Sequence, residues 1–309
     1  MFSTKPNLIV IVVVLIGLFG FSGCSAPTPT TLPQPPAAPT LQPPTVVPPT
    51  AVATSVPTKA PAVAPTASPT VVPPTQAPAA KEVSFTLTWY GHSTFVLSTS
   101  SGLKVLIDPT APGTGYKIPT IEGVDLVTTS HEHSDHNAVN LASGSPQVLK
   151  GLAGNDWAKI DQTIKGVRVR TVGTYHDARQ GAERGKNAIF IFELNGLRMA
   201  HCGDLGHILT PEQVKELGAV DILLIPVGGT YTVDAKAAVE TINLINPKII
   251  IPMHYKTADL AASLAVLAPL DEFLKLTSDK AALSEAPQSA TFTLGKLPEK
   301  RTVVVMKYK

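Results

Sequence analysis

The stretch HEHSDH, residues 131–136, concentrates three of the chain's eight histidines and one aspartate in a single short turn. A neutral imidazole offers a nitrogen lone pair and an ionised aspartate offers an oxygen, and both are good ligands for zinc or another divalent metal. In an extended segment His131 and His133 point the same way, so they can share one metal. After the following turn, Asp135 and His136 can face a neighbouring position. Packed together without a metal, these groups would lose hydration and repel one another once charged. The stretch therefore predicts a metal centre.

Further ligand-type residues lie where predicted strands end. The segments VDLVTTS, VRVRTVGTYH, NAIFIFELNGLRMAHCGD and PKIIIPMHY are all strand-like, because they are apolar or alternate apolar and polar residues. In layered α/β folds, strand ends on one edge of a sheet are where loops converge to build a site. The residues at or just past these strand ends are His131, His176, Asp204 and His254.

The remaining pattern predicts an α/β protein with mixed sheets. Antiparallel strands are expected in VSFTLTWYGHSTFVLSTSSGLKVLIDP, up to about Asp108. Helices are expected in TPEQVKELG, which has a threonine cap, a proline at the first helical position and a closing glycine, and in TVDAKAAVETINLIN. VDILLIPVGG reads as a buried strand, a further helix is expected near 266–276, and strands near 290–295 and 302–308. Strands first and βα units later favour a layered architecture.

The N-terminus has the pattern of a bacterial lipoprotein signal. An uncharged apolar run from Leu8 to Phe21 covers about 14 residues, shorter than the roughly 20 that a membrane-spanning helix needs. It ends in FSGC, which resembles a lipobox, although Phe21 replaces the usual leucine. We therefore expect residues 1–24 to be a signal whose Cys24 becomes lipidated, placing the protein outside the cytoplasm on the cell membrane. An uncleaved signal anchor is the alternative.

Residues 25–81 are expected to be a disordered tether and residues 82–309 the folded domain. The first segment holds 17 of the chain's 29 prolines, no aromatic residue and almost no charge, so neither helices nor sheet ladders are favoured. The net charge of +2 and the lack of a basic run predict no nucleic-acid partner. Only Cys24 and Cys202 are present, so a lipidated Cys24 would leave the domain without a disulfide.

The motifs of the folded part, taken together, resemble those of the metallo-β-lactamase fold superfamily. They are WYGHSTF, LIDP, HEHSDH, YHD, HCGDLGH, PVGGTYT and IPMHYKT, in that order. The later ones are similar to its simple metal-dependent hydrolase branch, which is related to the ascorbate-6-phosphate lactonases. The resemblance implies a four-layer αββα sandwich and a hydrolase. It also implies two divalent metal ions, with zinc expected first and manganese or iron as alternatives.

The resemblance also implies a ligand set. Three residues hold one metal, three hold a second and one bridges them: His131, His133 and His176; Asp135, His136 and His254; and Asp204. Diiron oxygen-reducing relatives carry glutamate at the position of His133, which favours hydrolysis here. Many true β-lactamases carry a cysteine ligand in the third motif, where this chain has Asp204, so antibiotic resistance is not expected. Asp135 or Asp204 is the candidate catalytic residue, orienting a water activated by the metals and passing on its proton.

Several residues are candidates for supporting roles. Asp108 is a plausible carboxylate to orient a ligand histidine. His92 and His207 are candidates either for pocket contact or for structural hydrogen bonding, and His201 for a structural role. Cys202 is expected to be a small buried residue beneath the site. Thr230 and Tyr231 follow PVGG and either line the pocket or serve the turn.

The expected substrate is a small molecule with an ester, lactone or phosphoester bond. Arg179 and Arg184 follow His176 in a loop, and Lys256 follows His254, so these cations suit an anionic substrate, although a solvated loop explains them equally well. Two alternatives belong to other classes. One is a surface-tethered binding or sensing module that keeps structural metals, and the other is redox chemistry at a diiron centre. No feature of the sequence indicates the oligomeric state.

Overall fold

The computed structural model describes residues 82–309. The predicted signal at 1–24, with Cys24, and the predicted tether at 25–81 lie outside the described residues. Within 82–309, no helix combines the length and apolar character that a membrane crossing requires.

Sixteen strands, three α-helices and two 3-10 helices make up this part of the chain. The strands are β1 (Ser84–Trp89), β2 (Phe95–Thr99), β3 (Lys104–Ile107), β4 (Leu126–Thr129), β5 (Gln147–Lys150), β6 (Leu152–Ala153), β7 (Asp156–Trp157), β8 (Asp161–Ile164), β9 (Val167–Tyr175), β10 (Lys186–Leu194), β11 (Leu197–His201), β12 (Ile222–Pro226), β13 (Ile249–Met253), β14 (Ala282–Ala286), β15 (Ser289–Thr293) and β16 (Thr302–Met306). The helices are α1 (Pro211–Leu217), α2 (Ala235–Ile245) and α3 (Asp271–Thr277), and the 3-10 helices are Val139–Leu141 and Ala262–Leu264.

The strands form two large mixed sheets and one small hairpin. The six-stranded sheet has the order β15-β1-β2-β3-β4-β5, and β3, β4 and β5 are parallel neighbours. The eight-stranded sheet has the order β14-β16-β13-β12-β11-β10-β9-β8, with parallel pairing from β11 to β14. Strands β6 and β7 pair with each other. The α/β class with mixed sheets and few helices is confirmed.

A single apolar core joins the two large sheets. Alternate residues of the six-stranded sheet, such as Leu87, Leu97 and Val105, belong to the same buried cluster as Phe190 and Ile225 of the eight-stranded sheet. Because side chains alternate across a strand, one face of each sheet reaches this shared core. The continuous apolar strands β12 and β13 are buried along their whole length, as parallel strands covered on both faces are.

The outer faces of the two sheets are covered differently. Helix α2 buries the stripe Ala235, Ala238, Val239, Ile242 and Ile245 at helical spacing, and it packs against α3. On the six-stranded sheet, Val96, Leu106 and Val127 point away from the main core and form a second, smaller cluster with Ile121, Val124 and Ala142. The 3-10 helix Val139–Leu141 packs against this second cluster. It lies on the face of the six-stranded sheet where the predicted four-layer architecture has a layer of helices.

Most predicted elements are present, and the short edge strands were missed. Helix α1 begins after Thr210, whose side chain forms a reciprocal capping box with Gln213, and it ends at Gly218 as predicted. The helix predicted near 266–276 is the shorter α3, preceded by a 3-10 turn. Strands β5, β6, β7, β8 and β14 were not predicted, because they are short and mostly exposed and lack the apolar alternation that identifies a strand.

Candidate metal centre

The ends of four strands deliver the predicted ligands to one place. His131 follows β4 and His176 follows β9 directly, while Asp204 lies just past β11 and His254 directly after β13. Among residues 82–309, side chains able to hold a metal form three overlapping groups in which all ligand atoms lie within 4.8 Å of one another. Together the groups contain all seven predicted ligand residues and His92.

The first group consists of His131, His133 and His176. His131 and His176 are buried, whereas His133 is exposed and lies where solvent or a substrate reaches the group. The rings of His131 and His133 are 4.6 Å apart, centroid to centroid, and that of His131 is 4.7 Å from the His176 ring. Three imidazoles in this arrangement are the ligand set of many zinc sites.

The second group consists of His92, Asp135, His136 and His254. Nε2 of His92 lies 3.2 Å from Oδ2 of Asp135, and the His92 ring is 3.9 Å from the ring of His254. His92 was predicted as a supporting residue. The structure places it against Asp135, beside the predicted ligands, and leaves its Nδ1 buried without a hydrogen-bond partner among the described residues.

Asp204 stands between the two groups. Its Oδ2 is 3.2 Å from Nε2 of His176 and 3.9 Å from Nε2 of His131. Its carboxylate also lies 3.1 Å from Nε2 of His136 and 3.4 Å from Nε2 of His254. Burial favours the neutral acid, but the imidazoles of His136 and His254 outweigh it and hold the pKa of Asp204 well below its ordinary value. Asp204 is therefore an ionised carboxylate in contact with both groups.

The donor atoms fit a divalent cation. Nε2 of His131, Nε2 of His136 and Oδ1 of Asp204 are all buried, and within the described part of the chain none has a hydrogen-bond partner. Nε2 of His136 and Oδ1 of Asp204 are close, yet their geometry is not that of a hydrogen bond. Buried polar atoms are rarely left without partners, so orphan atoms that converge on one point are typical of metal ligands.

Asp108 orients one histidine of each group. Its Oδ2 accepts a hydrogen bond from Nδ1 of His136 at 2.8 Å and one from the hydroxyl of Ser130 at 2.6 Å. The Ser130 hydroxyl in turn lies 3.0 Å from Nδ1 of His131. Because the Ser130 hydroxyl donates its hydrogen to Asp108, its oxygen accepts a hydrogen bond from Nδ1–H of His131. His131 and His136 therefore both carry a proton on Nδ1 and keep the lone pair on Nε2 for a metal.

Main-chain groups fix the rings of His176, His201 and His207. Nδ1 of His176 lies 3.1 Å from the backbone oxygen of Tyr231, which leaves Nε2 free to bind a metal. His201 bonds through Nε2 to the backbone oxygen of Ser93 at 2.9 Å and accepts at Nδ1 from Gly203 N, so its role is structural. His207 accepts from Tyr175 N and bonds at Nδ1 to the backbone oxygen of Ile208, so both of its ring nitrogens serve the loop.

Asn187 is a buried residue at the site that the sequence analysis missed. Its Oδ1 accepts from the backbone N–H of Asp204 at 3.0 Å, while its Nδ2 donates to the backbone oxygen of Cys202 at 2.9 Å and to the Thr174 hydroxyl. Gly203, with φ of 53°, passes so close that a Cβ there would lie 2.4 Å from Oδ1 of Asn187. Asn187 therefore sets the position of the Asp204 main chain. The only signal in the sequence is one amide before the apolar strand AIFIFEL.

Two opposite electrostatic environments coexist in the centre. Burial lowers the pKa of His92 to about 4, and burial together with the neighbouring imidazole of His136 holds that of His131 well below its ordinary value. Burial also opposes protonation of His136, but the carboxylates of Asp204 and Asp108 outweigh it and raise the pKa of His136 well above the usual range. A metal that binds Nε2 of His136 must displace a proton, because only a neutral imidazole has a lone pair to give.

Three of the site residues have left-handed backbone conformations that non-glycine residues rarely adopt. The φ angles are 50° for His92, 43° for Asp108 and 53° for His254. Such conformations cost of the order of 1–3 kcal/mol each and persist where the surroundings enforce them. Their concentration around one pair of ligand groups indicates that the fold holds these side chains in place against a local cost.

The remaining predicted contacts divide into two kinds. Arg184 and Tyr231 line a cavity of about 300 Å³ together with His133, His176 and His254. Arg179 is 74% exposed and lines none of the cavities found at the centre. Thr230 is exposed and its hydroxyl donates to the backbone oxygen of Val266, so it serves the loop. Cys202 is fully buried, and burial raises the pKa of its thiol.

Comparison with known proteins identifies the family. Residues 86–254, more than half of the chain, match the model of the beta-lactamase superfamily domain. The chain belongs to the metallo-β-lactamase superfamily. A metal-dependent hydrolase of Archaeoglobus fulgidus is 32% identical over 197 residues, which cover 56% of this chain and 84% of the relative. Another, from Thermoplasma acidophilum, is 32% identical over 193 residues, with the same coverage of 56% and 84%.

A solved structure agrees with this membership. A Thermotoga maritima protein of known crystal structure, named as a Zn-dependent hydrolase of the metallo-β-lactamase superfamily, is 40% identical, with a TM-score of 0.57. The match covers 72% of this chain and 98% of the Thermotoga chain. This member of the metallo-β-lactamase superfamily is thus a metal-dependent hydrolase that carries the candidate His and Asp ligand groups described above.

Proposed function

We propose that this enzyme hydrolyses an ester, lactone or phosphoester bond of a small molecule with two divalent ions held side by side. The observation that carries the proposal is the position of Asp204, whose carboxylate lies within 3.1–3.9 Å of histidines from both ligand groups. One ion would be held by His131, His133 and His176, and the other by Asp135, His136 and His254, with Asp204 shared. Zinc is the metal we propose, because the donors are imidazoles and carboxylates and the Thermotoga relative is named Zn-dependent.

The two carboxylates at the centre have different parts in the proposed reaction. Bound divalent ions would supply an activated water at neutral pH and polarise the electrophilic oxygen of the substrate. Asp204 is buried among imidazoles that keep its carboxylate ionised, so it suits holding the ions rather than accepting a proton. Asp135 is 24% exposed at its side chain and lines the 300 Å³ cavity, where it can accept a proton from water and pass it to the leaving group. His92 fixes the orientation of Asp135 through the 3.2 Å contact.

Metal removal combined with one ligand substitution tests the proposal. We expect chelation to abolish hydrolysis of ester, lactone and phosphodiester test substrates, and zinc to restore it. His133→Ala should abolish turnover and lower the zinc content measured by elemental analysis. Ser134→Ala is the matched control, because Ser134 is exposed in the same turn and none of the described side-chain hydrogen bonds involves it. Full turnover by completely demetallated protein would contradict the proposal, and absence of turnover with bound zinc would favour a binding module.

We also propose that the enzyme is a lipoprotein anchored outside the cytoplasm. The support is the sequence alone: an apolar run of about 14 residues, then the stretch FSGC whose last residue is Cys24, followed by a proline-rich segment. Cys24→Ala and treatment with globomycin, which blocks lipoprotein signal cleavage, should each stop processing and leave the precursor. Normal maturation of the Cys24→Ala protein would refute the anchor without affecting the hydrolase proposal.

A further inference from the structure

Two cavities at the metal centre share one cation. The first, of about 300 Å³, is lined by five of the proposed ligands and by Arg184, Tyr231 and Leu264. The second, of about 450 Å³, is lined by His133, Arg184 and Lys186 among others. His133 and Arg184 line both cavities. The Arg184 side chain therefore lies at the boundary between the metal ligands and an adjoining recess.

The guanidinium of Arg184 is held in place and still has free donors. Its central carbon lies 5.6 Å from the centroid of the Tyr231 ring, in cation–π contact. One nitrogen donates to Oε2 of Glu183 at 3.2 Å, the single hydrogen bond of this side chain among the described residues. A guanidinium has five N–H donors in a fixed fork, so the rest remain available for an anion. Tyr231 also orients the ligand His176 through its backbone oxygen, which links Arg184 to the metal centre.

The loop that carries Arg184 is built around the carboxylate of Asp177. Asp177 directly follows the ligand His176 and is buried. Both of its oxygens accept backbone N–H groups of the loop at 2.8–3.0 Å, and the donors are Arg179, Gly181, Glu183 and Arg184. These four bonds fix the Arg184 main chain relative to the end of β9. A binding group held this way requires little ordering when a ligand arrives.

Arg179 provides a contrast within the same loop. It also pairs with Glu183, at 3.0 Å, but 74% of its side chain is exposed against 31% for Arg184. Arg179 lines neither cavity. Lys186 does line the second cavity, but its ammonium is engaged by Asp156 at 2.8 Å and lies over the Trp157 ring. Among residues 82–309, Arg184 is thus the one cation with free donors that lines both cavities.

We infer that Arg184 is the specificity-determining residue of this hydrolase, binding an anionic group, carboxylate or phosphate, of the substrate whose scissile bond lies at the metal centre. The inference rests on the proposed function. A planar guanidinium suits either anion because it can donate two parallel hydrogen bonds. The substrate therefore carries a negative charge in addition to the ester, lactone or phosphoester bond that is cleaved.

The test compares two arginine variants on matched probes with zinc-loaded full-length protein. The turnover probes are 4-nitrophenyl acetate, which is neutral, and mono(4-nitrophenyl) succinate, which carries a carboxylate. The binding probes are succinate and inorganic phosphate, measured by calorimetry, and the tighter of the two identifies the preferred anion. We expect Arg184→Gln to lower the preference in kcat/KM for the succinate ester about 10- to 100-fold, as loss of a charge-assisted hydrogen bond does, and to weaken anion binding equally. Arg179→Gln should leave preference and binding unchanged.

The outcomes separate the two proposals. If no ester, lactone or phosphodiester test substrate is hydrolysed, the proposed function fails, but loss of anion binding in Arg184→Gln and not in Arg179→Gln still supports the role of Arg184. Equal effects of both substitutions, or none from Arg184→Gln, would overturn the inference, since a general surface charge would then explain the binding. If Arg184→Gln does not fold, Arg184→Lys takes its place in the kinetic and binding assays. Lysine keeps the positive charge but cannot donate two parallel hydrogen bonds, so Arg184→Lys should show a smaller loss of preference for the succinate ester. A preference equal to that of the wild type would overturn the inference.

Discussion

Replacing Asp108 by asparagine should weaken the binding of both proposed metal ions while leaving the fold intact. The carboxylate is fully buried and accepts three hydrogen bonds, from Ser130 N at 2.7 Å, Ser130 Oγ at 2.6 Å and His136 Nδ1 at 2.8 Å. Asparagine is nearly isosteric and tolerates the left-handed backbone of this position, where φ is 43°. The substitution therefore changes charge and hydrogen bonding with little change in shape.

The expected loss follows from the two donors that would face the new amide nitrogen. The asparagine oxygen can keep the bond from Ser130 N, but Nδ2 then faces Nδ1–H of His136 and the hydroxyl of Ser130. His136 can accept there only if its proton moves to Nε2, the nitrogen needed for a metal. Ser130, turned around, would donate to His131 Nδ1 and move that proton to Nε2 as well. Loss of such orienting groups typically costs about 10- to 100-fold in metal affinity.

Competition with a chromophoric chelator would measure the zinc dissociation constants, with thermal unfolding as a check on folding. Ser130→Ala is the matched control. It removes the link to His131 but keeps the bond between His136 and Asp108, so only the ion at His131, His133 and His176 should be weakened. A folded Asp108→Asn protein that binds both ions as tightly as the wild type would refute the tautomer argument.

Two further substitutions probe the main chain around the centre. Asn187→Ala should lower the free energy of unfolding by about 3 kcal/mol, because it leaves the buried N–H of Asp204 and C=O of Cys202 without partners; superimposable urea unfolding curves would contradict this. Gly206→Ala would place a methyl group 2.2 Å from the backbone carbon of His176, so the ligand must move. The variant should lose about 1–3 kcal/mol of stability and show a reduced zinc content by elemental analysis. Wild-type values for both would show that the end of β9 can move to accommodate the methyl group.

The predicted ligands could be located from sequence because their signals are local. HEHSDH places four donors within six residues, and each distant ligand sits beside a strand end recognisable by its own apolar pattern. Parallel strands such as β12 and β13 then bring their C-terminal ends to one edge. Helix α1 was predictable for the same reason, since its capping residues lie within the segment itself.

Other features depend on contacts between distant segments and have no local signal. The backbone oxygen of Tyr231 orients His176, but a main-chain acceptor leaves no trace in the residue types. Arg179 and Arg184 are equivalent by sequence, and they differ only because the Asp177 carboxylate folds the loop so that one of them lines the cavity. Edge strands such as β8 and β14 are held by pairing with a neighbour, so their own composition does not reveal them.

Two carboxylates make the pair of ligand groups one structural unit. Asp204 lies near the Nε2 atoms of histidines from both groups. Asp108 acts on the Nδ1 atom of one histidine in each group, directly for His136 and through Ser130 for His131. Because both carboxylates are buried, neither can move to suit one group without disturbing the other. Ordering of one group therefore helps to order the second.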